Sequence, residues 1–241
     1  MPEIFVQSID KRSKLYPSLR EMCLNYRFFP FQQLHIEDIA ARFSASTTPV
    51  REALARLAGE GLIESVPNRG YFAKNVSLDE IRSRVEILFV LLKHSLRSSS
   101  HSSPFGEIKA LGEPADVPRA NRFYLALAAL SDNDVLVPEI ERQLALTGFI
   151  RSMDLENPQS RIDLSLSVSQ LLEHLKIGDV DGASACLHQQ HRNLSERLPD
   201  LVQNAQLRIM IEFAPVQPAA RPGIKPSRLD NPRTRAIQTR F

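Results

Sequence analysis

Six residues in the first third of the chain have the types and spacing of a nucleic-acid contact: Ser46, Thr47, Thr48, Arg51, Arg69 and Gly70. The three hydroxyl residues stand directly before Pro49. Proline suits the first turn of a helix, where its missing N–H costs no hydrogen bond. Hydroxyls at such a start can donate to phosphate oxygens beside the free N–H groups of the helix. They also have a purely structural use, because Ser46 or Thr47 can cap the helix, and the two uses are compatible. Arg51 lies one turn in, within reach of a guanine edge or a phosphate. Arg69 and Gly70 make the tip of a turn. Glycine there permits close backbone approach or positive φ, and arginine suits a narrow minor groove. Arg42 and Arg56 could also reach phosphates, although a solvated helix face explains them better.

Other chemistry is thinly represented. His188 and His191 are three apart on one predicted helix and could join His174 at a metal. No carboxylate falls at a matching offset, so a polar face shared with Gln189 and Gln190 is the preferred reading. Ser131-Asp132 lacks a histidine placed to complete a catalytic constellation, and no enzyme activity is expected. Cys23 and Cys186 lie far apart without metal-ligand spacing and read as buried, reduced thiols, which suits a cytoplasm. No cofactor is expected.

The elements that must position the six residues follow from periodicity. Leu15, Leu19, Met22, Cys23 and Tyr26 recur at helical spacing. Arg27–Gln33 reads as a loop. Ile36, Ile39, Ala40 and Phe43 make a short second helix, and Ser44–Thr48 a turn. A third helix carries Val50, Ala53, Leu54 and Leu57 on one face and stops near Gly61. Leu62–Val66, a Pro67–Gly70 turn and Tyr71–Ala73 read as a hairpin. A helix from Leu78 to about Leu96 follows a short linker, with Asp79 and Glu80 at its positive end. Arg97–Arg119 reads as a polar loop with a helical insert around Glu107–Leu111. Four helical stretches come next, roughly 120–131, 135–153, 162–177 and 180–198. The expected fold is mainly α. A winged helix-turn-helix of three helices plus a β-hairpin wing fills residues 1–75, and an all-helical bundle fills residues 78–205. Residues 206–241 are basic and proline-rich and read as a disordered tail.

Composition sets the outer bounds. The chain has 241 residues, 43% hydrophobic and 24% charged, enough for one or two packed domains. A net charge of +2 is too small to argue for nucleic acid by itself, so any DNA footprint must be local. No stretch has the length of a membrane span, and the first residues lack the apolar core of a secretory leader.

The span from Leu34 to Ala73 closely resembles the N-terminal domain of GntR-family regulators. The resemblance rests on Leu34, Ile39-Ala40, Phe43, Ser46, Thr48-Pro49-Val50-Arg51-Glu52-Ala53-Leu54, Leu57, Glu60-Gly61-Leu62-Ile63 and Arg69-Gly70-Tyr71-Phe72. It implies a double-stranded DNA operator, with the second helix of the pair in the major groove. Two positions depart from the pattern. Thr47 stands where members commonly carry arginine, and Glu37 where some carry a basic residue. Each removes a potential DNA contact, and one lost bidentate base contact is worth about 1–3 kcal/mol of discrimination.

The helical half looks like the FadR subfamily, through Phe123, Leu127, Ser131-Asp132-Asn133, Leu172–Asp179, Ala183, Ala185 and Leu187. That likeness implies a homodimeric repressor whose helical FCD-type domain binds a small carboxylate. Many members hold the carboxylate through a divalent metal. Their four ligand positions fall here on Ala120, Tyr124, Val168 and Gln190, a poor donor set, so no metal is expected. Arg84 and Tyr124 are then the candidates for direct effector binding. An effector-independent DNA-binding protein, a winged helix used for protein or RNA contact, and an enzyme built on the bundle are the alternatives.

Overall fold

A computed structural model describes residues 3–98, 116–131 and 133–212. The insert expected at Glu107–Leu111, Asp132, and the chain beyond residue 212 lie outside them. The N-terminal part runs α1 (Glu3–Leu24), α2 (Ile36–Phe43), α3 (Thr47–Gly59), β1 (Ile63–Val66) and β2 (Gly70–Ala73). The rest is helical among the described residues: α4 (Leu78–Arg97), α5 (Val117–Ala128), α6 (Leu136–Asp154), α7 (Pro158–Lys176) and α8 (Val180–Glu212).

Local chemistry explains the first part. Glu37 and Asp38 occupy the first turn of α2, where the helix dipole favours them. The helix ends at Ser44, in the left-handed region at φ 51°, and Ala45 N–H closes the turn on the Ala40 carbonyl at 2.9 Å. The apolar stripe of α3 (Val50, Ala53, Leu54, Leu57) is buried, and its other faces are largely solvent-exposed. Gly61, at φ +74°, lets the chain reverse after α3. Leu62 N–H then reaches the Leu57 carbonyl and Gly61 N–H the Ala58 carbonyl, each at 3.0 Å. The strands pair antiparallel, from Ile63 opposite Ala73 to Val66 opposite Gly70. The segment read as a loop before α2 also lies along β2. Phe31 N–H donates to the Ala73 carbonyl at 3.1 Å and Leu34 N–H to the Tyr71 carbonyl at 2.8 Å. That covers the free edge of β2, which would otherwise expose unpaired backbone groups. Leu15, Leu19, Leu34, Ile39, Val50, Leu54, Leu57 and Ile63 are among the buried core of this part.

In the second part, α4 packs on α5, α6 and α8, and α7 packs on α8. One core joins them, with Leu88, Leu92, Phe123, Leu127, Ile140, Ile150, Leu171 and Leu187 almost wholly removed from water. Caps mark the helix starts. Ser77 accepts from Glu80 N–H, Asp116 from Arg119 N–H, and Asn157 from Gln159 N–H. Helix α8 is 33 residues long and continues through Pro199, which is exposed and leaves the Ser195 carbonyl without its helical donor. It also continues through residues 206–212, which the sequence assigned to a disordered tail. The reason is packing: Leu194, Leu198, Val202, Ala205 and Ile209 keep one buried stripe going.

The two parts touch directly. The rings of Tyr26 and Phe149 lie 5.3 Å apart, and Leu146 of α6 packs against the core of the first part. Gln206 Nε2 donates to the Val76 carbonyl at 2.8 Å, and Arg27 pairs with Glu212. Lys74, just after β2, donates to Glu80 at 2.7 Å, and Arg84 donates to the same carboxylate at 2.6 Å. Burial pushes the Glu80 carboxyl up, but the hydrogen bonds and charges of Lys74 and Arg84 outweigh it and hold its pKa below the usual value. A lowered folded-state pKa means a contribution fully present above the unfolded value, near pH 4.5, and lost as pH falls through the folded value. The pair is partly exposed, so its contribution is at most about 1 kcal/mol. Glu80→Gln is therefore expected to lower Tm slightly at neutral pH, with the gap to the parent protein closing below about pH 4. Thermal melts across pH 3–7 check this, and a gap that stays constant would contradict it.

Candidate functional site

Helix α3 is carried on its buried stripe, which turns the opposite face and the N-terminus to solvent. Ser46, Thr47, Thr48 and Arg51 are all exposed. Ser46 has the backbone geometry of an N-cap, at φ −79° and ψ 165°, yet its side chain makes no capping hydrogen bond. The helix start thus keeps its N–H groups and hydroxyls open to an anion. Arg51 has no ion-pair partner among the described residues.

The wing is carried on the same small core as α3, through Ile63 and Ala73. Arg69 is exposed, and its guanidinium lies 5.4 Å from the Phe72 ring. Gly70 has φ +93°, a conformation that side chains disfavour, and Gln33 Nε2 donates to the Arg69 carbonyl at 2.7 Å. Gln33 therefore braces the tip, a role the sequence did not signal. Arg42 is exposed. Arg56 is engaged elsewhere: its guanidinium stacks 3.8 Å above the Tyr16 ring and pairs with Glu60 at 3.3 Å. Tyr16 and Arg20 also bond Glu60, so this cluster ties α1 to the end of α3.

A second site lies inside the bundle. A cavity of about 50 Å³ is lined by residues that include Phe89, Ala120, Tyr124, Arg151, Asp154 and Gln190. Tyr124 is buried and donates to Gln190 Oε1 at 2.9 Å, and Gln190 Nε2 donates to Ser167 Oγ at 3.0 Å. Burial pushes the Tyr124 hydroxyl up to about 12, so it remains a donor at neutral pH. Arg151, 7% exposed, donates to Asn121 Oδ1 at 2.5 Å, the Leu144 carbonyl at 2.9 Å and Thr147 Oγ1 at 3.2 Å. Burial lowers its pKa to about 10, which still leaves a cation at neutral pH. Arg197 grips Asp154 with two bonds, at 2.7 and 2.9 Å.

Tyr124 is thus in the cavity, and Arg84 is not. Arg84, which the sequence offers as an effector contact, lies at the junction between the two parts, paired with Glu80. The buried arginine that lines this cavity is Arg151, which the sequence analysis did not single out. Its signal was there. Gln143, Thr147, Arg151 and Asp154 recur at steps of four, four and three along α6, a polar stripe that turns inward.

The metal positions implied by the subsidiary likeness also meet in space. Ala120, Tyr124 and Gln190 line the cavity, and Val168 is buried nearby in the same core. A methyl group, a phenol hydrogen-bonded to an amide, and an isopropyl group do not form a donor set for a divalent metal. Among the described residues no group of three or more His, Cys, Asp or Glu could hold one. His174 bonds Asp179 at 2.7 Å, whereas His188 and His191 stand with their rings 6.5 Å apart, His191 against Phe89.

A helix pair with an open second-helix N-terminus, followed by a short hairpin on the same core, is a winged helix-turn-helix, the class of protein that the first part defines. Residues 11–72 match the bacterial regulatory proteins of the gntR family. The Nta operon transcriptional regulator of Aminobacter aminovorans is 24% identical over 168 residues, 64% of this chain and 80% of that protein. The HTH-type transcriptional repressor RspR of Escherichia coli K12 is 33% identical over 70 residues, 29% of this chain and only 31% of its own length. Among solved structures, Listeria monocytogenes Lar, described as controlling expression of the agr system, has a TM-score of 0.62 at 19% identity. The alignment covers 79% of this chain and 97% of that one. Escherichia coli McbR/YncC has a TM-score of 0.56 at 21% identity, with 80% and 98% covered. These structural likenesses show a shared fold. The chain carries a GntR-family DNA-binding domain and is a transcriptional regulator rather than an enzyme. No helix among the described residues is long and apolar enough to cross a membrane.

Proposed function

We propose that this chain is an operator-binding repressor of the FadR subfamily, working in the cytoplasm as a homodimer and controlled by a small metabolite held in its helical bundle. Residues 1–75 act as the DNA-binding domain, and the bundle from residue 78 onward as the effector and dimerisation domain. The observation that carries the reading is the exposed group Ser46, Thr47, Thr48 and Arg51 at the open start of α3, together with Arg69 and Gly70 exposed at the tip of the wing. Helix α3 enters the major groove, its hydroxyls hold phosphates, Arg51 reads a base edge or a phosphate, and Arg69 enters the adjacent minor groove.

Other observations support the finer points. RspR, whose head is similar, is a repressor by name. Ile87 and Val90 expose apolar surface on α4, which fits burial against a second copy. A two-fold pair of heads matches a palindromic operator. Helix α8 offers the link between effector and head. Gln190 and Arg197 line the cavity, while Gln206 and Glu212 further along the same helix contact Val76 and Arg27. An effector that prefers one position of α8 thereby changes head placement and DNA affinity.

The test is an anisotropy titration of the purified chain against its own upstream DNA and a scrambled duplex, at two salt concentrations. Expected is a preference for the upstream duplex of about a thousandfold or more, with affinity falling as salt rises. Equal, weak binding to both duplexes would reject operator reading and favour a winged helix used for protein contact.

A further inference from the structure

We propose that residues 213–241 form a second DNA contact, a basic segment that α8 delivers to the winged head and that holds phosphates flanking the operator without reading sequence. The inference rests on the DNA-binding reading above and adds a contact outside the head. Its starting point is where the charge lies. The chain's 30 basic and 28 acidic residues divide as 24 and 27 over residues 1–212 and as six and one beyond them. Everything up to the end of α8 therefore carries a net charge of −3, and the last 29 residues carry +5. A body of that sign repels a duplex, so the head must bind through a local footprint. Residues 1–75 hold ten basic against eight acidic residues. Four of the ten are already paired: Arg20 and Arg56 with Glu60, Arg27 with Glu212, and Lys74 with Glu80. Neutralised phosphates supply a large share of affinity for duplex DNA, and the head is thinly provided with cations for that purpose.

The end of α8 puts the basic segment where it can act. Gln206 Nε2 donates to the Val76 carbonyl, just past β2, at 2.8 Å. Arg208 holds Glu156 with two bonds of 2.7 Å. Glu212, the last residue of α8, pairs with Arg27 in the connection between α1 and α2. The helix end is thus fixed to the bundle on one side and to the head on the other, and the chain leaves it against the head. Length covers the rest. Fully extended, 29 residues span at most about 100 Å. The 13-residue α3 is only about 20 Å long, so the reach extends past the head to phosphates on its flank. Arg221, Lys225, Arg228, Arg233, Arg235 and Arg240 recur every two to five positions, with Asp230 the single acid. Cations distributed in this way neutralise a row of phosphates and release their counter-ions whatever the bases. The acidic body is the competing partner within the chain, and a duplex, with one charge per about 1.7 Å, is the denser one.

The experiment compares the parent chain with two variants. One ends at Glu212 and keeps every contact described above. The other keeps the full length and carries Arg221→Gln, Lys225→Gln, Arg228→Gln, Arg233→Gln, Arg235→Gln and Arg240→Gln. Anisotropy titrations use the upstream and scrambled duplexes at salt concentrations from about 50 to 200 mM. Both variants are expected to lose about tenfold or more in affinity at the lowest salt, for both duplexes alike. The preference for the upstream duplex and the Tm are expected to stay at the parent values. The slope of log affinity against log salt is expected to become shallower by about three to five for each segment engaged. Four results would overturn the proposal. Parent affinity and slope in both variants would show that the segment does not touch DNA. Tighter binding by the variants would show that it masks the head. A loss confined to the upstream duplex would mean that it reads sequence. A loss in the shortened chain but not in the substituted one would mean that charge is not its means. Capture by phosphatidylserine vesicles that needs the segment, with duplex affinity unchanged, would assign it to a membrane surface instead. The same titrations separate this contact from operator reading. Slopes that differ while no form prefers the upstream duplex keep the contact and reject operator reading. A retained preference with coincident slopes does the reverse.

Discussion

Arg51→Ala is expected to weaken binding to the upstream duplex about 5- to 150-fold while leaving Tm within about 1 °C, the span of one base-reading arginine at about 1–3 kcal/mol. The two halves of that expectation have separate causes. Arg51 is exposed and unpaired among the described residues, so its removal takes nothing from the core. It stands one turn into α3, on the side that the buried stripe leaves outward, so its charge is free for DNA. If it reads a guanine edge, discrimination against the scrambled duplex shrinks with the affinity. If it holds a phosphate, both duplexes lose affinity alike and the salt slope falls by about one. Anisotropy titrations of both duplexes at two salts distinguish these cases. Unchanged affinity for both would remove α3 from the interface.

Leu54→Ala, three residues further along the same helix, is expected to do the opposite. Leu54 is 1% exposed and packs with Val50, Leu57, Leu19 and Ile63 in the core of the first part. Truncating such a leucine costs about 2–5 kcal/mol, the removed contacts plus the cavity left behind. For a chain of this size that corresponds to a fall in Tm of about 5–15 °C. Operator binding would then fail in proportion to the unfolded fraction and return on cooling, unlike the temperature-independent loss in Arg51→Ala. Thermal melts followed by far-UV circular dichroism, with DNA titrations well below Tm, check both parts. A Leu54→Ala protein with the parent Tm would mean that this core does not hold α3.

The contrast between these neighbours was legible in the sequence because it is local. A stripe at 3.6-residue spacing states which side of α3 is buried, and therefore which side is free. Gly61 and Gly70 likewise declare a chain reversal and a wing tip, and both adopt positive φ. The same reasoning stopped α8 too early. Scattered basic residues and the run of prolines from Pro215 onward made its end read as a tail, although Val202, Ala205 and Ile209 extend the buried stripe.

The bundle cavity was not legible in the same way. Tyr124 and Gln190 lie 66 positions apart and meet through a hydrogen bond, and Arg151 comes from a third helix. Periodicity tells that a helix has an inner face but not which helix that face will meet. The sequence singled out Arg84 as able to hold an anion and did not distinguish Arg151. Packing at the junction gave Arg84 a carboxylate, and packing in the bundle buried Arg151 without one among the described residues. By itself, then, the sequence determined the DNA-binding class, the two faces of α3 and the poor metal donor set, all written in neighbouring residues or in residue types. Which arginine found a carboxylate and which was buried in the bundle was decided only when the helices came together, because a charge's partners and its desolvation depend on groups far away along the chain.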